Sequence, residues 1–277
     1  MIRVFVSAGT CSRLNRLSPV AQCLMHAEDL ADVLAARSGV VCLVGAGGKK
    51  STIYQLARRC SGRVGITATA HIEPFPREYA RDAVVCEDGI VARVCAAAST
   101  QGRLAFARPC PNPGRLLGVT IDELDEIWRR AGFTLCLVKA DGARGRILKA
   151  PAPHEPAIPP FATTVIPVVS ARALGQPVTD RIAHRPALVA AVCGLAAGAA
   201  FAPGHLARLL ASPEGSLRGV GTTATVVPVI NMVDDDELLT LARRAALEAL
   251  ALTDRFDRVL LASMRREQPI VEVVRRA

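Results

Sequence analysis

Aromatic residues are scarce in this sequence, at 4% of 277 residues with one tryptophan and two tyrosines. The core must therefore be built from Ala, Val, Leu and Ile, and no basic run is interleaved with the rings on which single-stranded nucleic acid stacks. Lysine is scarcer than arginine: Lys49, Lys50, Lys139 and Lys149 stand among 34 basic residues. The nine cysteines are odd in number and form no CxxC pair, which argues against a zinc site of paired ligands. Several lie inside apolar runs, such as Val41-Cys42-Leu43 and Leu135-Cys136-Leu137, as buried free thiols in a reducing compartment do. No apolar run approaches the ~20 residues that span a bilayer, and the first 20 residues lack the continuous apolar stretch of a secretory signal. The expectation is a soluble, cytoplasmic protein with no membrane or nucleic-acid partner.

What is present fits a globular fold: 51% hydrophobic and 21% charged residues. The formal charge of +9 suits anionic ligands or partners. The length allows one large α/β domain or two smaller ones. Residues 1–27 carry little pattern and read as an N-terminal extension; residues 28–277 read as the α/β domain.

Along that domain, residues 28–37 predict a short amphipathic helix. Gly39–Val44 predicts a buried strand, residues 45–50 a glycine loop and residues 51–60 a helix. Further strands are expected at Val64–Thr69, at Thr134–Ala140, at Thr164–Val169, at Thr225–Ile230 and at Asp257–Ala262. Residues 82–95 predict two short strands around Glu87-Asp88-Gly89, and residues 99–119 a loop. Helices are expected at 121–131 behind the cap-like Thr120, at roughly 184–196 and 204–212, and at 235–252. The five prolines of 149–161 exclude regular structure there. Strands alternating with helices imply a mostly parallel sheet flanked by helices, a three-layer architecture of the P-loop NTPase kind.

The sharpest local signal is Gly45-Ala46-Gly47-Gly48-Lys49-Lys50-Ser51-Thr52. Glycines let backbone N–H groups close on phosphate oxygens, and the following helix aims its positive end at them. A lysine then reaches the phosphates and a hydroxyl next to it holds Mg²⁺. The strict GxxxxGK[ST] pattern is not met, because Lys50 separates Lys49 from Ser51. Either Lys49 is the phosphate lysine or Lys50-Ser51 is the working pair. A dinucleotide fingerprint would need glycine where Lys50 stands. Asp141 ends an apolar strand, the usual place for a carboxylate that holds Mg²⁺ with Ser51. Asn231-Met232-Val233-Asp234 resembles the NKxD motif, in which Asn and Asp read a guanine edge. Alternatively it is a polar helix start with Asp as cap. His71, the pair His154-Glu155, and His184-Arg185 lie at a strand end or in loops that can face a substrate or partner.

Several segments in order resemble the selenium-dependent hydroxylase accessory protein family, YqeC. They are VGAGGKK at 44–50, TATAHIEPFP at 67–76 and KADGARGRILKAPAPHEPAIP at 139–159. ALGQPVTDRIAHRP at 173–186, LARLLASPEGSLRG at 206–219 and INMVDDDE at 230–237 follow. The resemblance covers roughly residues 28–264. It implies a P-loop NTPase-like fold and a role in maturing selenium-dependent molybdenum hydroxylases, with such an enzyme or its maturation factors as partner. Mapped here, ATP or GTP, with Mg²⁺, would lie on Gly45, Gly47, Gly48 and Lys49, facing Asp141. Asn231 with Asp234 would read the base, and Lys149, His154 and Glu155 would face a partner or cofactor. Lys49 and Asp141 would act in any slow nucleoside triphosphatase reaction. The alternative is a non-catalytic carrier of the molybdenum cofactor using the same loop; a nucleotide kinase is a third, weaker reading. Three positions depart from the family pattern: Lys50 replaces its Thr, Lys139 its Glu, and Met232 the lysine of Asn-Lys-x-Asp. Lys50 and Lys139 either neutralise phosphate directly and lessen the need for Mg²⁺, or mark a member that binds nucleotide weakly without hydrolysing it.

Overall fold

The computed structural model describes residues 28–276 apart from Ala197; the expected extension 1–27 lies outside the described residues. The strands are β1 (Gly39–Gly45), β2 (Val64–Ala68), β3 (Val84–Val85), β4 (Arg103–Pro109), β5 (Leu116–Leu117), β6 (Leu135–Lys139) and β7 (Leu148–Lys149). They continue as β8 (Thr164–Ser170), β9 (Ala183–His184), β10 (Thr225–Val226), β11 (Val229–Asn231), β12 (Arg258–Ala262) and β13 (Ile270–Arg275). The helices are α1 (Leu30–Val33), α2 (Lys49–Arg59), α3 (Arg77–Ala80), α4 (Ile90–Ala98), α5 (Ile121–Ala131), α6 (Pro186–Cys193), α7 (Pro203–Ala211) and α8 (Asp236–Leu252).

The main sheet runs β13-β12-β11-β8-β1-β6-β2-β4-β3, with β10 beside β8 and β5 beside β4. Its pairings are parallel except at the two margins, β12 with β13 and β4 with β5. The central strands are buried along their length, as strands covered on both faces are. Side chains alternate across the sheet. From β1, Val41 and Leu43 pack with Ile53 and Leu56 of α2, while Val40, Cys42 and Val44 pack with Val94 of α4 and Leu124 and Ile127 of α5. A third cluster joins α6, α7 and α8 to β8, β11 and β12. The result is the expected α/β fold, a large mostly parallel sheet flanked by helices, consistent with a three-layer P-loop NTPase-like architecture.

Four local expectations are corrected. After Val84–Val85 the chain does not form a second strand: Gly89 is left-handed (φ 67°) and starts α4. Ile90, Val94 and Ala98 recur every four residues on its buried face, a helical period. Residues 99–119 are not a loop throughout. Leu104–Ala107 is a buried apolar run within β4, which pairs with β2 and β3. The Arg, Gly and Pro flanks mask it in the sequence. The helix expected over 28–37 is cut to Leu30–Val33, where Leu34 caps it and Ala35 turns to φ 50°. The strand expected over 225–230 splits into β10 and β11 at Val227-Pro228, since proline has no N–H for a ladder. Beyond the expected last strand, β13 adds an antiparallel edge. By contrast, α5 begins as expected at Thr120, whose hydroxyl accepts from Glu123 N while Glu123 Oε2 accepts from Thr120 N.

The topology brings one set of strand ends together. Leu43 of β1 lies opposite Lys139 of β6, and Ala68 of β2 lies opposite the same lysine. On the other side of β1, Gly45 faces Val168 of β8, and Ser170 faces Asn231 of β11. The carboxyl ends of five parallel strands thus meet where α2 begins, the place where open α/β sheets bind ligands.

Candidate functional site

At these strand ends opens a cleft of about 860 Å³. Nine cationic side chains line it: Lys49, Lys50, Arg115, Lys139, Arg144, Arg146, Arg172, Arg185 and Arg265. Against them stand three carboxylates, Glu73, Glu155 and Asp234. Each carboxylate is already held. Glu73 pairs with Lys50 and lies 3.8 Å from Arg115. Glu155 pairs with Arg185 at 2.5 Å and Lys149 at 3.0 Å. Asp234 pairs with Arg172 at 2.7 Å. The cleft therefore carries a large uncompensated positive charge. Three of the four non-glycine residues with positive φ among the described residues, Arg144 (49°), Arg185 (64°) and Met232 (63°), also line it. Strained backbone of this kind clusters at functional sites.

The glycine loop forms the floor. Gly48 has φ 137°, and a Cβ there would overlap the Asn231 amide; only glycine fits. Gly48 provides no side-chain cap for α2, so the first-turn N–H groups of α2 lack intrahelical acceptors and face the cleft. Lys49 folds back: its ammonium donates to Gly45 O and lies 2.9 Å from Asp141 Oδ1. Burial pulls this ammonium below its ordinary range, against the attraction of Asp141. Lys50 and Ser51 line the cleft. Ala46 and Thr52 are buried, and the Thr52 hydroxyl donates to Gly48 O at 3.1 Å.

Asp141, 2% exposed, is the hub of a buried clamp. Its Oδ2 accepts from Gly45 N at 2.9 Å and lies 3.0 Å from Lys149 Nζ. The Lys149 side chain is fully buried. An ammonium has three protons, and here they meet Asp141, Glu155 and the Gly142 carbonyl at 2.7 Å. Lys149 is thus paired with two carboxylates and ties the 141–155 segment to the glycine loop. Burial alone would raise the Glu155 carboxyl, but hydrogen bonds from Arg185 and Lys149 outweigh it and hold it at about 2.

Lys139 differs. It is 9% exposed and lines the cleft, and its ammonium donates to His71 O at 2.5 Å. Among the described residues no carboxylate stands within ion-pair distance of it. Burial, together with the positive charges of Lys49, Lys149 and Arg115, pushes it down to about 7 despite the attraction of Asp141.

The remaining candidates divide. His71 and His184 line the cleft with Glu155 and Arg185. His154 is exposed and lies outside the cleft lining. Asn231, 3% exposed, donates to Gly47 O at 2.8 Å and accepts from Met264 N at 2.9 Å. Its amide is thus spent bracing the loop against the turn after β12. Asp234 accepts from Ser263 Oγ at 2.7 Å as well as from Arg172. Arg115, Arg144, Arg146, Arg172 and Arg265 were not singled out by the sequence, since single arginines among so many carry no signal.

The family model described as YqeC protein matches residues 41–187, from within β1 through the loop, Asp141, the Lys149 clamp and Arg185. The YqeC protein of Escherichia coli (strain K12) is 31% identical over 232 residues, which cover 79% of this chain and 88% of that protein. The chain belongs to the YqeC family. The family match thus spans the loop, Asp141 and the clamp, while Asn231 and Asp234 lie beyond the part the family model covers. Among the described residues no helix is long and apolar enough to cross a membrane, and no group of three His, Cys, Asp or Glu side chains is placed to hold a metal ion.

Mg²⁺ does not suit Asp141 as it stands. Both carboxylate oxygens lie near lysine ammonium groups, at 2.9 and 3.0 Å; Oδ2 also accepts a backbone N–H, while Oδ1 is buried without a hydrogen-bond partner. A divalent cation beside them would meet two like charges at close range.

Proposed function

We propose that the protein binds a phosphorylated ligand, ATP or GTP, in this cleft and holds it, as a cytoplasmic accessory protein in the maturation of selenium-dependent molybdenum hydroxylases. The maturation role rests on the resemblance of its ordered segments to that accessory family. The observation that carries the ligand class is the site itself: glycine-loop and α2 amides at the ends of five parallel strands, under nine cations and three already paired carboxylates. Loop amides and a helix N-terminus favour phosphate, and clustered cations raise its local concentration.

The reading is of binding more than of turnover. Each carboxylate lining the cleft is engaged by a cation, so a base that activates water must first be freed. A second reading, carriage of the molybdenum cofactor by its phosphate or dinucleotide tail, is favoured by Asn231. One of its two amide N–H groups goes to Gly47 O and one lone pair of its oxygen to Met264 N, which leaves less of its capacity for selecting a nucleobase.

Thermal unfolding with added ligand separates the readings. A ligand that binds only the folded state at 100 times its Kd stabilises by about 2.7 kcal/mol. ATP or GTP raising the midpoint supports the first reading; the isolated molybdenum cofactor alone doing so supports the second. No shift with any of these ligands would refute both.

A further inference from the structure

Lys139 has no carboxylate partner among the described residues, and burial beside other cations brings it down to about 7, so an anion in the cleft would supply the missing counter-charge. Lys149 lies 3.0 Å from both Asp141 and Glu155 and donates to Gly142 O, whereas Lys139 donates to His71 O and faces no carboxylate. A charged group nine-tenths buried is costly unless paired. The surrounding charges do not pair it. When the lysines are protonated, as an anion bound in the cleft favours, Lys49, Lys139, Lys149 and Arg185 outnumber Asp141 and Glu155 by four charges to two. Two positive charges remain uncompensated, the charge of one divalent cation. The one without a carboxylate partner, Lys139, sits at the end of β6 and lines the cleft with the loop, where a metal-dependent phosphate site would hold its ion. Asp141, the carboxylate that would hold such an ion, already faces Lys49 and Lys149.

Building on the phosphate reading above, we propose that Lys139 takes the place of the metal and that the cleft binds a diphosphate group without a divalent cation. The loop amides and Lys49 contact one phosphate, and Lys139 the other. In this arrangement Arg115, which lines the same wall and lies near Glu73, closes the subsite from the side of β5.

Calorimetric titration tests this with inorganic pyrophosphate, ADP and GDP, each in excess EDTA and again in excess Mg²⁺. The expected result is binding in EDTA within about threefold of that in Mg²⁺, and a loss of about tenfold or more in EDTA for Lys139→Gln, as removal of a charge-assisted contact predicts. Lys139→Arg should restore most of the affinity. Because Lys139→Gln removes an uncompensated buried charge, it should fold, and its circular dichroism and unfolding midpoint verify that it has. Comparing pyrophosphate with the nucleotides shows whether the group comes free or on a nucleoside, and binding of either in EDTA supports the proposal. Binding that requires Mg²⁺, or that Lys139→Gln leaves unchanged, would overturn the metal-free inference and leave the phosphate reading standing. No binding in either condition would overturn both.

Discussion

Asp141→Asn removes one negative charge from between two buried ammonium groups while keeping the side chain's shape. Asp141 is 2% exposed, and the side chains it faces, Lys49 and Lys149, are 5% and 0% exposed. Breaking a buried ion pair by removing one partner costs about 3–5 kcal/mol. Two features soften the loss. Lys149 keeps Glu155 and the Gly142 carbonyl, and the asparagine oxygen can still accept from Gly45 N. The lower end, about 3 kcal/mol, is therefore expected, which for a chain of this size lowers the midpoint by about 6–12 °C. Lys149→Met should cost less, about 1–3 kcal/mol, because Asp141 retains Lys49 and Glu155 retains Arg185. The double variant should be more stable than the sum of the two losses predicts, by about 1 kcal/mol or more, since the charges removed are in contact. Urea unfolding of the wild type, both single variants and the double variant, with slopes compared, measures the cycle. A loss below about 1 kcal/mol for Asp141→Asn, or strict additivity, would refute the clamp as the element that fixes the loop.

Other perturbations follow from the same geometry. Gly48→Ala forces a Cβ into the Asn231 amide at φ 137°, so stability should fall by about 2 kcal/mol or more, with loss of ligand-induced stabilisation, in a thermal shift assay. Glu155 is held at about 2, against an ordinary value near 4.5, so its contribution is full above about pH 4.5 and disappears as pH falls through about 2. The stability gap between wild type and Glu155→Gln should therefore be widest above pH 5 and close towards pH 2 in acid titrations followed by circular dichroism; a constant gap would contradict the ion pairs with Lys149 and Arg185. Away from the site, Thr120→Ala removes the cap of α5 and should cost about 1 kcal/mol without changing ligand affinity.

How much of this could be read in the sequence depends on what held each residue in place. The β1–loop–α2 unit was legible because a short apolar run, a glycine cluster and the rare lysines coincide at Gly39–Lys50. Asp141 was legible as the end of an apolar strand. β4 was not, because four apolar residues between Arg, Gly and Pro give no period, and its strand character comes from burial between β2 and β3. The clamp was half legible. Lys149 and Glu155 stood out as site candidates, but the burial of Lys149 depends on Asp141 eight residues away and on the fold of an irregular segment. Asn231 shows the limit of spacing as evidence. The motif placed it at a strand end, but the direction of its amide follows from Gly48, whose missing side chain leaves room for it, and from the Gly47 carbonyl that accepts its N–H.

The central claim is that the glycine loop and Lys49 hold phosphate, and calorimetric titration of ATP and GTP into wild type and Lys49→Ala tests it most directly. The account predicts saturable binding to the wild type and an affinity lower by about tenfold to a hundredfold in the folded variant, the worth of one charge-assisted contact. Equal binding by both proteins, or none by a folded wild type, would contradict it.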